Sequence, residues 1–344
     1  MKKNTQTHQD KKRFIAGDRP TGKLHIGHYV GTLCSRVELQ DQYELFLLIA
    51  DAQALTDNFK DPKKLRDSTL EVLLDYLAVG IDPDKTAIGL QSAILQIPEL
   101  TGYLANLTSY GKVLRNPTVK DEIKQKNMGD EVPFGFVAYP VSQAADILVV
   151  NADYVGGGDD QTPMVELTRE IARSFNSIYA PIFREPMLIT GKNGRLPGID
   201  GNAKMGKSLG NVIYLSDSDD TIRKNINKMY TDPNRLRAND PGCVEGNMVF
   251  TYLDAFKEQA GAQSQVDDLK ERYRAGGIGD VAVKKILADM LISILSPIRS
   301  RREDLQRNMD YVTRVLKSGT DKYVAESEAV MKKVRDVVGL YSVA

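Results

Sequence analysis

Short apolar runs set between polar or turn residues punctuate the first part of the chain. Arg13-Phe14-Ile15-Ala16-Gly17, Tyr43-Glu44-Leu45-Phe46-Leu47-Leu48-Ile49-Ala50 and Thr86-Ala87-Ile88-Gly89-Leu90-Gln91 have the near-continuous hydrophobicity of buried parallel strands. Between the second and third the spacing turns helical. Asp61-Pro62 opens that segment, Leu65, Leu70, Val72, Leu73, Tyr76 and Leu77 recur through it, and Gly80 closes it. Strands alternating with helices predict an α/β fold, a Rossmann-like doubly wound parallel sheet with its ligand site at the carboxyl ends of the strands. Residues 98–135 read as a helical insertion with polar connections. Further helices are predicted from Pro140, and from Pro163 to about Phe175. The stretch 190–208 holds Gly191, Gly194, Gly198, Gly201 and Gly206, too many for a helix or strand interior, and reads as a mobile loop able to act as a lid. After about Ser216, residues 219–230, 247–260, 264–275, 278–294 and 298–337 all read helical. Three parts are therefore expected: a polar tail at 1–12, an α/β domain at 13–215 and a helical domain at 216–344.

Composition narrows the class. A chain of 344 residues buries a sizeable core, and its formal net charge of zero makes no general demand for a nucleic-acid partner. A local basic face remains possible. Arg299, Arg301, Arg302, Arg307 and Arg314 lie on one predicted helical stretch, suited to phosphate contact. Glu303, Asp304 and Asp310 are interleaved with them, which suits a salt-bridged surface equally well. Cys34 and Cys243 form no CxxC pair, so no protein-bound zinc or iron–sulfur cluster is expected, and a reducing compartment is. The polar start lacks the apolar run of a signal peptide, and no apolar stretch approaches membrane-spanning length. A cytoplasmic protein with no membrane association is expected. The chain contains no tryptophan.

The chemistry concentrates in two segments far apart in sequence. Leu24-His25-Ile26-Gly27-His28 follows the first strand and the turn Pro20-Thr21-Gly22, and opens a helix. Histidines at i and i+3 point together there, beside free backbone N–H groups at the positive end of a helix, where a polyphosphate can dock. Gly27 leaves room for close approach. A histidine metal pair is the competing reading, but His8 in the tail is the only other histidine. The second segment, Lys204-Met205-Gly206-Lys207-Ser208, brings two flexible cations and a hydroxyl in a glycine-rich setting. Together they look like machinery for nucleotidyl transfer.

These segments resemble the HIGH and KMSKS motifs of class I aminoacyl-tRNA synthetases, the second departing at Gly206, where the family usually has serine. Further residues resemble the tryptophanyl-tRNA synthetase family: Gly17-Asp18-Arg19-Pro20-Thr21-Gly22, Asp51-Ala52-Gln53-Ala54-Leu55-Thr56-Asp57-Asn58, Gly80-Ile81-Asp82-Pro83, Gln91-Ser92, Tyr139 to Ile147, Gly158-Asp159-Asp160-Gln161, Glu166 to Arg169 and Thr231-Asp232-Pro233. The match runs in order from about residue 13 to 310. Arg19, His28 and Gln143 stand where many members have glutamine, asparagine and methionine, which marks a divergent branch. The resemblance implies that His25, His28, Lys204 and Lys207 stabilise the transferring phosphates. It places ATP along Arg19, Pro20, Thr21, Gly27, His28, Gly158, Asp159, Asp160, Leu196, Lys204, Met205, Gly206, Lys207 and Ser208. Lys120 is a weaker pyrophosphate candidate.

Tyr139, Gln143 and Asp146 share one helix face by spacing. The resemblance gives Asp146 the indole N–H, and gives Tyr139 and Gln161 the α-amino group, of L-tryptophan. It further implies Mg2+ accompanying ATP, tRNA(Trp) as partner, a helical anticodon-binding domain and a homodimer. Three alternatives stay open: a tyrosyl-tRNA synthetase, another HxGH nucleotidyltransferase, and a tRNA-binding paralogue without activity.

Overall fold

The structure, a computed structural model, describes residues 11–125, 127–128, 131–191, 196–201, 205–230, 235, 237 and 239–341. Five strands, β1 (Arg13–Asp18), β2 (Glu44–Ile49), β3 (Thr86–Leu90), β4 (Tyr154–Gly157) and β5 (Met187–Thr190), form one parallel sheet in the order β3-β2-β1-β4-β5. The first three lie where the apolar runs predict them. β4 and β5 are absent from the sequence reading because four residues are too few for a pattern, and Gly156-Gly157 in β4 mimics a turn. Successive side chains alternate between two apolar clusters. Phe14, Ala16, Leu45, Leu47 and Ile49 face one, while Ile15, Phe46 and Leu48 face the other. The strand order reverses between β1 and β4, opening the crevice where a doubly wound sheet binds its ligand.

Local signals explain most helix ends. Asp61 caps the helix Pro62–Val79 by accepting from the Lys64 N–H at 3.0 Å, and Gly80 ends it at φ 109°. The helix expected from Pro140 begins earlier, at Phe134, directly after Pro133, and Phe136 and Val137 extend its buried face. Pro297 does not divide the C-terminal helices. Asp280–Arg307 runs through it, and the break falls at Asn308, which caps Met309–Val338 by accepting from the Tyr311 N–H.

The chain changes from mixed α/β to helical near residue 215, yet one apolar cluster crosses that point, joining Ile26 and Leu73 to Ile222, Leu253 and Leu291. The helix Met309–Val338 returns to the sheet and covers the free edge at β3. Thr320 Oγ1 accepts from the Leu90 N–H at 3.1 Å, and Tyr323 packs edge-on against Phe46. Gly319 permits this approach, since a Cβ there would stand 2.4 Å from the Ile88 carbonyl oxygen.

The expected basic face is corrected in part. Arg302 is buried, pairing with Asp75 at 2.7 Å and with Glu71. Arg299 pairs with Asp219 at 2.6 Å, and Arg301 donates to the Ala78 carbonyl at 2.7 Å. Three of the five arginines thus serve internal contacts, while Arg307 and Arg314 are exposed.

Candidate active site

The carboxyl ends of β1 and β4 open into a cavity of about 870 Å³. Asp18, Arg19, Thr21, His25, Gly27 and His28 line one wall. Tyr139, Gln143 and Asp146 line its floor, Gly158 to Gln161 the side beyond β4, and Leu196 and Met205 the remaining edge.

His25 is the N-cap of the helix that begins at Ile26. Its Nδ1 accepts from the Gly27 N–H at 3.2 Å, and His28 Nδ1 accepts from the His25 N–H at 3.2 Å. The two imidazoles thereby form a reciprocal capping box, with ring centroids 3.9 Å apart. Burial, helped by the mutual repulsion of the rings, drives the His25 pKa down to about 2. Burial likewise lowers His28 to about 4, although Asp18 opposes the shift. Both rings are neutral at physiological pH, and with each Nδ1 accepting, the proton sits on Nε2. They present two neutral donors rather than two cations, as suits the developing charge on a leaving pyrophosphate. A Cβ on Gly27 would stand 3.0 Å from the His25 ring and 3.2 Å from Met205 Sδ, so glycine here is what lets the capping ring lie flat. A π-helical turn, Tyr29–Leu33, follows directly.

Behind the pair sits a buried cluster the sequence reading missed. Asp18 Oδ2 accepts from Arg36 Nη1 and from the Tyr76 hydroxyl, each at 2.6 Å. Burial works to raise the Asp18 pKa, but Arg36, His28 and Tyr76 outweigh it and hold the carboxyl at about 2. A fixed anion therefore underlies the two histidines.

Of the lysine loop, Lys204 lies outside the described residues. Met205 is buried against Gly27. Lys207 Nζ donates to Thr21 Oγ1 at 3.2 Å and to the Gly22 carbonyl at 2.9 Å, which brings the loop to the turn before His25. Desolvation lowers its pKa to about 8, with Asp18 and Asp75 opposing. Gly206 is extended (φ −147°), and a Cβ there would make only ordinary contact with Leu209 at 3.4 Å, so serine fits. Ser208 follows in the same 3-10 turn; its side chain lies outside the described residues. In the described parts of the loop expected to act as a lid, Asn211 accepts from the Gly206 N–H at 2.8 Å and donates to Asp200 at 2.9 Å, and the Pro197 carbonyl accepts from Tyr252 at 2.6 Å. Pro20 is buried beneath the turn, and Lys120 points to solvent on the helix Pro117–Gln125, outside the cavity wall.

The end of the cavity around Asp146 combines apolar side chains with a few polar groups. Asp146 is 5% exposed, and Gln91 Nε2 donates to both of its oxygens at 2.8 and 3.0 Å. Gln91 in turn accepts from the Gln53 N–H at 2.8 Å. Burial pushes the Asp146 carboxyl up to about 7, while the Gln91 amide pulls it back. Ile15, Leu48, Ile147 and Val155 complete the apolar lining of this end. Gln143 donates to Gln161 at 3.0 Å, and Gln161 to Asp160 at 3.1 Å, linking the floor to the segment after β4. Gln91 carried a legible signal: it is a glutamine closing an apolar strand at the end where such sheets bind ligands.

Comparison with known proteins identifies the family. The family model for tRNA synthetases class I (W and Y) matches residues 7–296. The tryptophan--tRNA ligase of Lactococcus lactis is 51% identical over 336 residues, covering 96% of this chain and 98% of that protein. That of Clostridium longisporum is 51% identical over 335 residues, covering 96% and 97%. Among solved structures, the tryptophanyl-tRNA synthetase of Campylobacter jejuni complexed with ADP and tryptophan matches with a TM-score of 0.84 at 30% identity, over 95% of this chain and 100% of that one. The chain belongs to the class I tRNA synthetases of the tryptophan and tyrosine group, on the tryptophan--tRNA ligase branch.

Proposed function

We propose that the chain activates L-tryptophan with ATP and transfers it to tRNA(Trp), releasing AMP and diphosphate. The observation that carries this reading is a single cavity with neutral histidine donors at one end and a buried carboxylate in an apolar slot at the other. The tryptophan carboxylate oxygen attacks the α-phosphorus. The bond to the bridging oxygen breaks, and pyrophosphate leaves toward His25, His28 and Lys207. A ribose hydroxyl at the tRNA 3′ end then attacks the acyl carbon, and AMP departs. No covalent enzyme nucleophile is needed, so rate enhancement comes from alignment and charge stabilisation. ATP enters as its Mg2+ complex, the ion being part of the substrate.

Arg19, Pro20, Thr21, Gly27, Gly158, Asp159, Asp160, Leu196 and Met205 surround the nucleotide in this reading, with Lys204, Gly206 and Ser208 contributed by the loop. Asp146 takes the indole N–H, Tyr139 and Gln161 take the α-amino group, and Gln143 lines the same pocket. An analogue without the N–H would leave Asp146 buried with only the Gln91 amide as donor, one hydrogen bond short, which is how the site disfavours phenylalanine. The helices after residue 216 are assigned to the tRNA anticodon, and the cytoplasm to the protein's location; no helix among the described residues is long and apolar enough to cross a membrane. A homodimer is part of the reading. The apolar hollow beside the cavity, edged by exposed Leu55, Phe59 and Phe134 and sharing Gln53 and Tyr139 with the site, is the face assigned to the second copy.

Because the chain has no tryptophan, the fluorescence of the substrate itself reports binding against a tyrosine-only background. Asp146→Ala is expected to weaken tryptophan binding by about ten- to a hundredfold, the usual effect of removing a buried hydrogen-bonding partner. Unchanged affinity would refute the pocket assignment.

A further inference from the structure

The backbone that carries the two histidines is held from behind by a residue of the C-terminal helices. Leu24, immediately before His25, donates its N–H to Asp75 Oδ2 at 2.7 Å. The other oxygen of that carboxylate accepts from Arg302 Nε at 2.7 Å, and Arg302 Nη2 also pairs with Glu71. Leu24, Asp75 and Arg302 are 1%, 0% and 3% exposed. The opposite side of the turn is tied to the segment after the lysine loop, where Leu215 N–H donates to the Leu24 carbonyl at 3.1 Å and Ile26 N–H to the Ile213 carbonyl at 3.0 Å. The turn is thus clamped between the lysine-loop exit and a buried carboxylate, and the helix Asp280–Arg307 supplies the cation that neutralises that carboxylate.

We propose that Arg302 and Asp75 are positioning residues for adenylate formation, holding the Leu24–His28 turn in the geometry that aims both histidine Nε2 atoms at the phosphates. Burial disfavours the Asp75 anion, and Arg302 opposes that penalty. With Arg302 removed, the carboxylate is left without its cation in a dry site and turns away to find another partner, releasing the Leu24 N–H. The helices themselves stay docked, through Arg301 on the Ala78 carbonyl and through apolar contacts that include Val72, Leu291 and Ile298. The tryptophan slot lies against the other apolar cluster, across the sheet, so its affinity is an internal control.

The proposal rests on ATP activation at this site, which the wild-type enzyme tests independently. Adenylate formation is measured in a single turnover, normalised to active sites counted by the burst, with tryptophan affinity read by substrate fluorescence. Arg302→Met is expected to slow adenylate formation per site by about ten- to a hundredfold, the scale of a small misalignment. Tryptophan affinity should stay within about twofold, since Arg302 and Asp75 share no hydrogen-bond partner with the residues of the slot. Adding Asp75→Asn to Arg302→Met is expected to restore much of the rate, because the amide oxygen still accepts from Leu24 and no buried charge remains. Should Arg302→Met fail to fold, Arg302→Lys serves: it keeps a cation, and its per-site rate must fall below wild type with tryptophan affinity kept. A wild-type rate per site in the variant that folds, a matching loss of tryptophan affinity, or no rescue by Asp75→Asn overturns the proposal. An inactive wild-type enzyme would instead refute the activation reading itself.

Discussion

At the scale of single residues, the site works by setting protonation states through burial. His25 and His28 are the most exposed to misreading from sequence, where a histidine pair beside a lysine loop suggests accumulated positive charge. Burial and reciprocal capping leave both neutral, and Asp18, fixed by Arg36 and Tyr76, supplies an anion beneath them. Asp146 is the converse case: burial raises its pKa to about 7, so the free enzyme holds the proton over a range where the unfolded chain has already lost it. Its contribution to stability is therefore present at low pH and is lost as pH rises from about 4 to about 7. An indole N–H favours the ionised form, so tryptophan affinity is expected to rise with pH, changing by up to about tenfold per unit below pH 7. The histidines titrate well below this window, and Lys207 faces the phosphate end. Fluorescence titrations from pH 5.5 to 8 on wild type and Asp146→Asn test the point; a slope that survives in the variant assigns it to another group.

At the scale of elements, legibility follows the range over which a signal acts. Caps and turns are local, so Asp61-Pro62 and Gly80 gave the ends of the helix Pro62–Val79 directly. The runs in β1 to β3 were visible because each is buried on both faces. β4 and β5 fall below the length at which periodicity speaks, and their strand identity comes from pairing with β1 and with each other. The expected helices 278–294 and 298–337 leave a gap that contains Pro297, but buried Met290, Leu291, Ile294, Leu295 and Ile298 carry one helix through it. The packing of Met309–Val338 onto β3 had no local trace at all. Gly319 is the residue that allows it, and Gly319→Val is expected to destabilise the fold by about 1–3 kcal/mol or more through overpacking against the Ile88 backbone. Chemical denaturation measures this. An unchanged midpoint would mean that the helix does not lie against the strand in solution.

At the scale of the whole molecule, the sequence motifs were enough to indicate the family, because class I signatures are compact in sequence. What they did not carry is how distant elements hold the signatures in place. Asp75 and Arg302 are 227 residues apart, and Arg13 reaches Glu326 across 313. No spacing rule connects such pairs, and Arg299, Arg301 and Arg302 of the arginine run make internal contacts for this reason. The substrate assignment nevertheless depends on few groups: Asp146 and Gln91 in the slot, and the histidine pair above it. The most direct test of the account is ATP–pyrophosphate exchange by the purified protein with each amino acid in turn. Exchange dependent on tryptophan, and absent with tyrosine, is the expected result. Exchange supported by tyrosine, or by no amino acid, would contradict the account at its centre.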